Sequence, residues 1–134
     1  LDQGGYTGIG PRRRQITYDD NWPALLKAFP GGRIEAKLQR RNNPANANEI
    51  TFSRAWVFQV CKRVNDIRNR VAHHEPVING FPLKGQSSNG SVIRLTPSEA
   101  HDEILSLARM LDRDMAEWLR VNSAVPRVFA QKPF

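Results

Sequence analysis

The sequence predicts an all-α fold, a helical bundle organised around two long amphipathic helices. Two observations predict it. From about Thr51 to His74 there is neither Gly nor Pro, and Val57, Val60, Val64, Ile67 and Val71 recur at spacings of three and four. That is the apolar stripe of an amphipathic helix. A second stripe, Ile104, Leu107, Leu111, Met115 and Trp118, follows Thr96-Pro97-Ser98-Glu99. Those four residues form a helix start: Thr96 caps, Pro97 suits the first turn, and Glu99 sits where a capping box needs it. No substantial sheet is expected.

Taken in order, residues 1–18 are punctuated by Gly4, Gly5, Gly8, Gly10 and Pro11 and read as a flexible, irregular arm. Arg12, Arg13 and Arg14 make that arm basic. Such a run is ordinarily just solvated, but three adjacent arginines also suit contact with nucleic-acid phosphates. The folded domain is then expected over 19–134. Asp19, Asp20 and Asn21 offer N-cap oxygens ahead of Trp22 and Pro23. Ala24, Leu25, Leu26 and Phe29 give a short helix, stopped by Pro30, Gly31 and Gly32. Arg33 to Arg41 forms a second short helix with Ile34 and Leu38 one turn apart, and Asn42 to Asn48 reads as a loop.

The first long helix should span about 52–74. It ends near His74, because Pro76 keeps Glu75 out of helical geometry. Residues 76–95 hold two Pro, three Gly, three Ser and two Asn. They read as a long loop between the main helices, with a short extended stretch at Val92 and Ile93. The second long helix should run over about 97–121, and Pro126 and Pro133 mark an irregular tail. There is no internal repeat. Two long stripes bury only a narrow core, so either the shorter helices fill in or a second copy does, which is a structural reason to expect a dimer.

Composition narrows the function. The chain has 134 residues, the length of one domain, with 40% hydrophobic and 25% charged residues. No apolar run approaches the roughly 20 residues that cross a bilayer, and no secretory signal pattern is present, so no membrane partner is expected. A net charge of +7 favours polyanion partners, RNA or DNA above all. Cys61 is the only cysteine, which excludes an intramolecular disulfide and a multi-cysteine zinc site. A reducing, cytoplasmic location is expected.

Polar chemistry concentrates at the end of the first long helix, Asp66-Ile67-Arg68-Asn69-Arg70-Val71-Ala72-His73-His74-Glu75-Pro76. At about 100° per residue, Lys62, Asp66, Asn69 and His73 share the face opposite the valines. Asn69 and His73 are four apart and therefore neighbours. His74 lies near the edge of the apolar stripe and reads as a packed or capping residue, which leaves His73 as the better candidate for exposed chemistry. Arg68 falls near the other edge of that stripe. Cations at a helix C-terminus are favoured by the helix dipole alone, so periodicity by itself assigns no activity here. Consecutive His73, His74 and Glu75 cannot all face one ion from a regular helix, so no metal is expected. His101, near Glu99 and Asp102, reads as a surface residue.

Arg68-Asn69-Arg70-Val71-Ala72-His73 matches the pattern of the HEPN superfamily: Arg, a polar residue, and His after four intervening positions. The longer string RNRVAHHEP resembles the version in bacterial Abi-like (abortive infection) proteins. Trp22–Pro30 (WPALLKAFP) is similar to the segment ahead of the motif helix in that group, and Trp118–Pro133 (WLRVNSAVPRVFAQKP) to its C-terminal ending. The resemblance spans about Asn21 to Pro133 with gaps. The short Arg–His pattern is weak alone, and the extended string in a helical setting is more specific. Two features depart from the group: a longer stretch over Asn79–Leu95, and leading helices that are missing or poorly marked.

The resemblance implies a HEPN-like bundle that works as a homodimer, its two motif helices meeting around one RNA backbone. It implies a metal-independent endoribonuclease of phage defence or a toxin–antitoxin system, with an antitoxin protein as a further partner and no cofactor. Arg68, Asn69 and His73 would be catalytic, with Asp66, Arg70 and His74 as secondary candidates and Arg12, Arg13 and Arg14 contacting nucleic acid. Two alternatives stand beside it: a non-catalytic HEPN module that binds RNA, and a dimerisation part of a larger defence protein.

Overall fold

The computed structural model describes residues 3–7 and 14–131. Most of these residues are helical, and the chain is mainly α. The order is β1 (Gln3–Thr7), β2 (Arg14–Thr17), α1 (Tyr18–Leu25), α2 (Gly32–Asn42), α3 (Arg54–Ala72), β3 (Phe81–Ser88), β4 (Ser91–Leu95), α4 (Pro97–Leu111), α5 (Arg113–Asn122) and α6 (Val125–Ala130). Single 3-10 stretches follow α1 over Leu26–Ala28 and α2 over Pro44–Glu49.

The core lies where α2, α3 and α4 meet. Ala36, Trp56, Val57, Val60 and Met110 are buried together, flanked by Trp22, Phe29, Phe52 and Leu107. Phe52 bridges two tryptophans, with ring centroids 5.7 Å from Trp22 and 6.3 Å from Trp56. Such tilted and edge-on pairs add to the burial of the rings. α2 and α4 approach very closely at one point. The Gly31 amide donates to the Met110 carbonyl at 3.0 Å, and a Cβ on Gly31 would stand 2.0 Å from the Arg109 carbonyl oxygen. Only glycine fits there.

The α2–α4 contact also holds a buried carboxylate. Glu35 is 2% exposed. Arg109 donates to both of its oxygens, at 2.7 and 2.8 Å, and Ser106 donates to one at 2.8 Å. Burial pushes the Glu35 carboxyl up, but the Arg109, Ser106 and Gln39 donors outweigh it and hold the group below its ordinary value. This corrects the apolar pair expected on α2. Ile34 and Leu38 are exposed and the opposite side, Glu35 and Ala36, faces the core. A bidentate partner 74 residues away makes the carboxylate the buried side.

α3 begins where Ser53 caps it, its side chain accepting from the Trp56 amide. Trp56, Val57, Val60 and Ile67 are buried, so the stripe holds for most of the helix. Its last member does not: Val71 is 56% exposed, and the neighbouring Ala72, His73 and His74 are exposed as well. The last turn runs past the elements that cover the earlier ones.

Four expectations of irregular chain are overturned, the first being the loop over Asn42 to Asn48, which holds the 3-10 stretch Pro44–Glu49. Residues 76–95 are not a loop: β3 and β4 form an antiparallel hairpin, pairing Phe81 with Leu95, Pro82 with Arg94 and Ser88 with Ser91. The turn is Asn89-Gly90, both at positive φ (50° and 76°), the geometry a two-residue hairpin turn requires. The arm at the front contains a second antiparallel pair, β1 with β2. The tail after Pro126 contains α6. Among the described residues the sheet is limited to these two small two-stranded pairs, and the chain is mainly helical, in keeping with the expectation of no substantial sheet.

The second long helix is likewise two. α4 ends at Leu111, and Asp112 takes an extended conformation (φ −154°, ψ 116°) and caps α5 by accepting from the Met115 amide at 3.0 Å. The capping box predicted at Thr96 and Glu99 is present. The second stripe survives only in part. Leu107 packs on the core, but Leu111, Met115 and Trp118 are exposed, Trp118 by 61%. α4 instead buries Ala100, Leu105, Ser106 and Met110. The break at Asp112 redirects the chain, so one continuous stripe no longer meets one surface. No helix among the described residues is long and apolar enough to cross a membrane.

Candidate functional site at the end of α3

The RNRVAHHEP segment forms the last turns of α3 and its exit. His73 is the C-cap, with its amide donating to the Asn69 carbonyl. His74 follows in the left-handed region at φ 54°. Its amide donates to the Val71 carbonyl at 3.0 Å and the Glu75 amide to the Arg70 carbonyl at 3.1 Å. These two bonds make a Schellman ending, in which the left-handed position is usually glycine. Pro76 then prevents a return to helix. His74 is thus the capping residue the sequence suggested, but it is exposed, not packed against the apolar stripe.

The side chains divide into two groups. Arg68 is exposed, and its guanidinium donates to the Asn69 side-chain oxygen at 2.8 Å. That bond spends one donor of five and orients the rest. Arg70 is half-buried and bound to the Glu75 carboxylate, which ties the helix end to its exit. Arg70 therefore has a structural partner that Arg68 lacks. Arg68, expected near the other edge of the apolar stripe, is solvent-facing. Asp66 and Asn69 are half-buried on the same helix. Among the described residues, no hydrogen bond reaches the ring of His73 or of His74. His73 and Arg68 are both accessible at this end, but no direct bond joins them.

The remaining calls fall elsewhere. Arg12 and Arg13 lie outside the described residues, and Arg14 opens β2 with no described side chain. His101 is half-buried, its Nε2 3.0 Å from the Ser123 hydroxyl oxygen, which links α4 to the α5–α6 junction. Cys61 is half-buried, and burial pushes its thiol up, away from reactivity. Among the described residues no group of three or more His, Cys, Asp or Glu is placed to hold a metal.

Two larger cavities lie away from the motif. One of about 410 Å³ between α2 and α4 has Glu35, Glu99, Asp102, Glu103 and Arg109 in its lining, with Glu35 paired to Arg109 and Glu103 to Arg63. Another of about 440 Å³ borders Asn43, Asn46, Gln59 and Trp56. Neither touches Arg68, Asn69 or His73. A smaller cleft of about 300 Å³ sits at the root of the β3–β4 hairpin, with Ile78, Gly80, Arg94, Leu95 and Pro97 among its lining. Reasoning from sequence missed this feature. Asn89-Gly90 was the available signal, masked by the polar Gln86, Ser87 and Ser88 where alternating apolar residues are expected.

No protein-family model, no curated protein and no solved structure matches this chain.

Proposed function

We propose that this chain is a metal-independent endoribonuclease of the HEPN type, cleaving RNA at the solvent end of α3. The observation that carries the reading is the state of Arg68 and His73. Arg68 is exposed and oriented by Asn69, and His73, one turn further on, is exposed with its ring unengaged among the described residues. A guanidinium with donors to spare suits a phosphate, and an imidazole suits proton transfer near neutral pH. RNA supplies its own nucleophile. Loss of the 2′-hydroxyl proton lets that oxygen bond to phosphorus, the bond from phosphorus to the 5′-oxygen breaks, and the leaving oxygen takes up a proton. Arg68 offsets the added charge on the non-bridging oxygens. The products are a 2′,3′-cyclic phosphate and a 5′-hydroxyl end.

The end of α3 is exposed, and none of the cavities described above borders the motif. A two-fold copy would supply the opposite wall and a second set of Arg68, Asn69 and His73. Phe58 and Val71 leave apolar surface on α3 that supports such pairing. The setting implied by the resemblance is phage defence or a toxin–antitoxin system. The same exposure favours one second reading, a non-catalytic RNA-binding or dimerisation module of a larger protein.

The deciding experiment incubates the purified protein with a broad RNA panel in EDTA and analyses the new ends. Cyclic phosphate and 5′-hydroxyl ends are expected, and are lost in His73→Ala. A parent protein that leaves every RNA intact sinks the nuclease reading. The binding reading then stands if RNA affinity falls on changing Arg68 but not His73.

A further inference from the structure

We propose that the cleft at the root of the β3–β4 hairpin holds an unpaired base of a single-stranded RNA, with Arg94 on the adjoining phosphate. This extends the RNA reading of the α3 end and rests on it for the identity of the polymer. The cleft's walls are mostly apolar side chains, Ile78, Leu95 and Pro97, with the Asn79-Gly80 backbone and the exposed Arg94 beside them. A mostly apolar seat with one cation at its edge is what a nucleobase and its phosphate require.

Position supports the assignment. Ile78 is five residues past His73, and the hairpin root is fastened to the motif helix: Phe81 packs in one cluster with Ile67 and Ala100, flanked by Val77 and Leu95. The cleft and the end of α3 therefore share one rigid support. Charge supports it too. From Pro76 to Ser98 the chain carries Lys84 and Arg94 and no Asp or Glu, and the nearby Glu99 carboxylate is engaged by the Thr96 amide at 2.7 Å. The tip of the hairpin stands clear of the body, since a Cβ on Gly85 or Gly90 would meet nothing within 4 Å. The hairpin is thus anchored at its base by Phe81 and Leu83 and exposed toward its tip.

The test measures binding, not cleavage, so it remains readable if the nuclease reading fails. In a His73→Ala background, the anisotropy of a fluorescein-labelled unstructured 12-mer RNA is titrated across a series of NaCl concentrations. Ile78→Ala should weaken binding on the order of tenfold without changing the salt dependence, because it removes apolar contact with a base. Arg94→Gln should reduce the slope of log affinity against log salt by about 0.7, the share of one phosphate contact on a single strand. Arg40→Gln, the same charge loss on α2, should leave the slope closer to the parent's. Melting temperatures confirm that each variant folds. Parental affinity and slope in both cleft variants overturn the proposal. So does an equal loss in Arg40→Gln, which would trace the effect to net charge. A weakening that follows a change of oligomeric state in light scattering also overturns it, and assigns the hairpin to contact between copies.

Discussion

His74 occupies the left-handed position that closes α3, where a side chain costs about 1–2 kcal/mol relative to glycine. His74→Gly should therefore raise the melting temperature by a few degrees, as a gain of about 1 kcal/mol does in a chain of this size. A thermal melt checks this, and a lower melting temperature would mean that the ring makes a contact that outweighs the strain. The same variant tests the ranking of the histidines. If His74→Gly is more stable yet cleaves nothing, while His73→Ala cleaves like the parent, the proton-transfer group is His74. The expected pattern is the opposite: loss of about 10²–10⁴-fold in His73→Ala and about 10²–10³-fold in Arg68→Ala, each with little change in melting. Glu35 is the other residue whose surroundings set its behaviour. Its folded pKa lies below the ordinary 4.5, so its network stabilises the fold fully above that value. The contribution is lost as pH falls through the lowered folded value. Urea unfolding at pH 7 and pH 3 should show a smaller loss of stability on acidification in Glu35→Gln than in the parent. Arg109→Met should cost about 3 kcal/mol at pH 7, because it leaves the carboxylate buried without its partner.

At the scale of elements, the break at Asp112 divides what the apolar spacing joined. Its carboxylate caps α5, and Asp112→Ala should destabilise the protein by about 1 kcal/mol, read from a shift in the urea midpoint with an unchanged slope. An unshifted midpoint would show that tertiary contacts, not the cap, fix the start of α5. The α2–α4 junction is less forgiving. Gly31→Ala puts a methyl against a backbone oxygen that no side-chain rotation can move, so the two helices must separate. A loss at the upper end of about 1–3 kcal/mol is expected. The β3–β4 hairpin depends on its root. Two strands alone are marginal in water, and here Phe81 and Leu83 are buried while most of β4 is exposed.

The described elements leave several large apolar side chains exposed. Leu111, Met115, Trp118 and Val121 are exposed on the last part of α4 and on α5, in addition to Phe58 and Val71 on α3. Self-association is the expected consequence. Light scattering at high micromolar concentration should report about twice the 15.2 kDa chain mass, and a persistent monomer would remove the paired-motif arrangement. The charge of +7 predicts RNA affinity that falls steeply with salt. Affinity that stays flat from low to moderate salt would remove the electrostatic part of the case.

Local chemistry was enough for the sequence to mark the ends of α3 and the start of α4. Pro76 acts on its neighbour, Thr96 and Glu99 cap within one turn, and the valine spacing follows from helix geometry alone. The mainly helical class, and the nearness of Arg68, Asn69 and His73 along one helix end, were legible for the same reason. Tertiary structure decided which apolar residues are core. Ile34, Leu38, Met115 and Trp118 sit at helical spacing, yet none of them is covered by the described residues, and a carboxylate took the buried side of α2 because Arg109 is folded against it. It also decided the hairpin. β4 pairs with a strand whose inward side chains are anchored by Ile67 and Ala100, so its stability comes from residues on two helices and not from its own pattern. A periodic spacing is a property of one segment; burial and pairing belong to two segments at once.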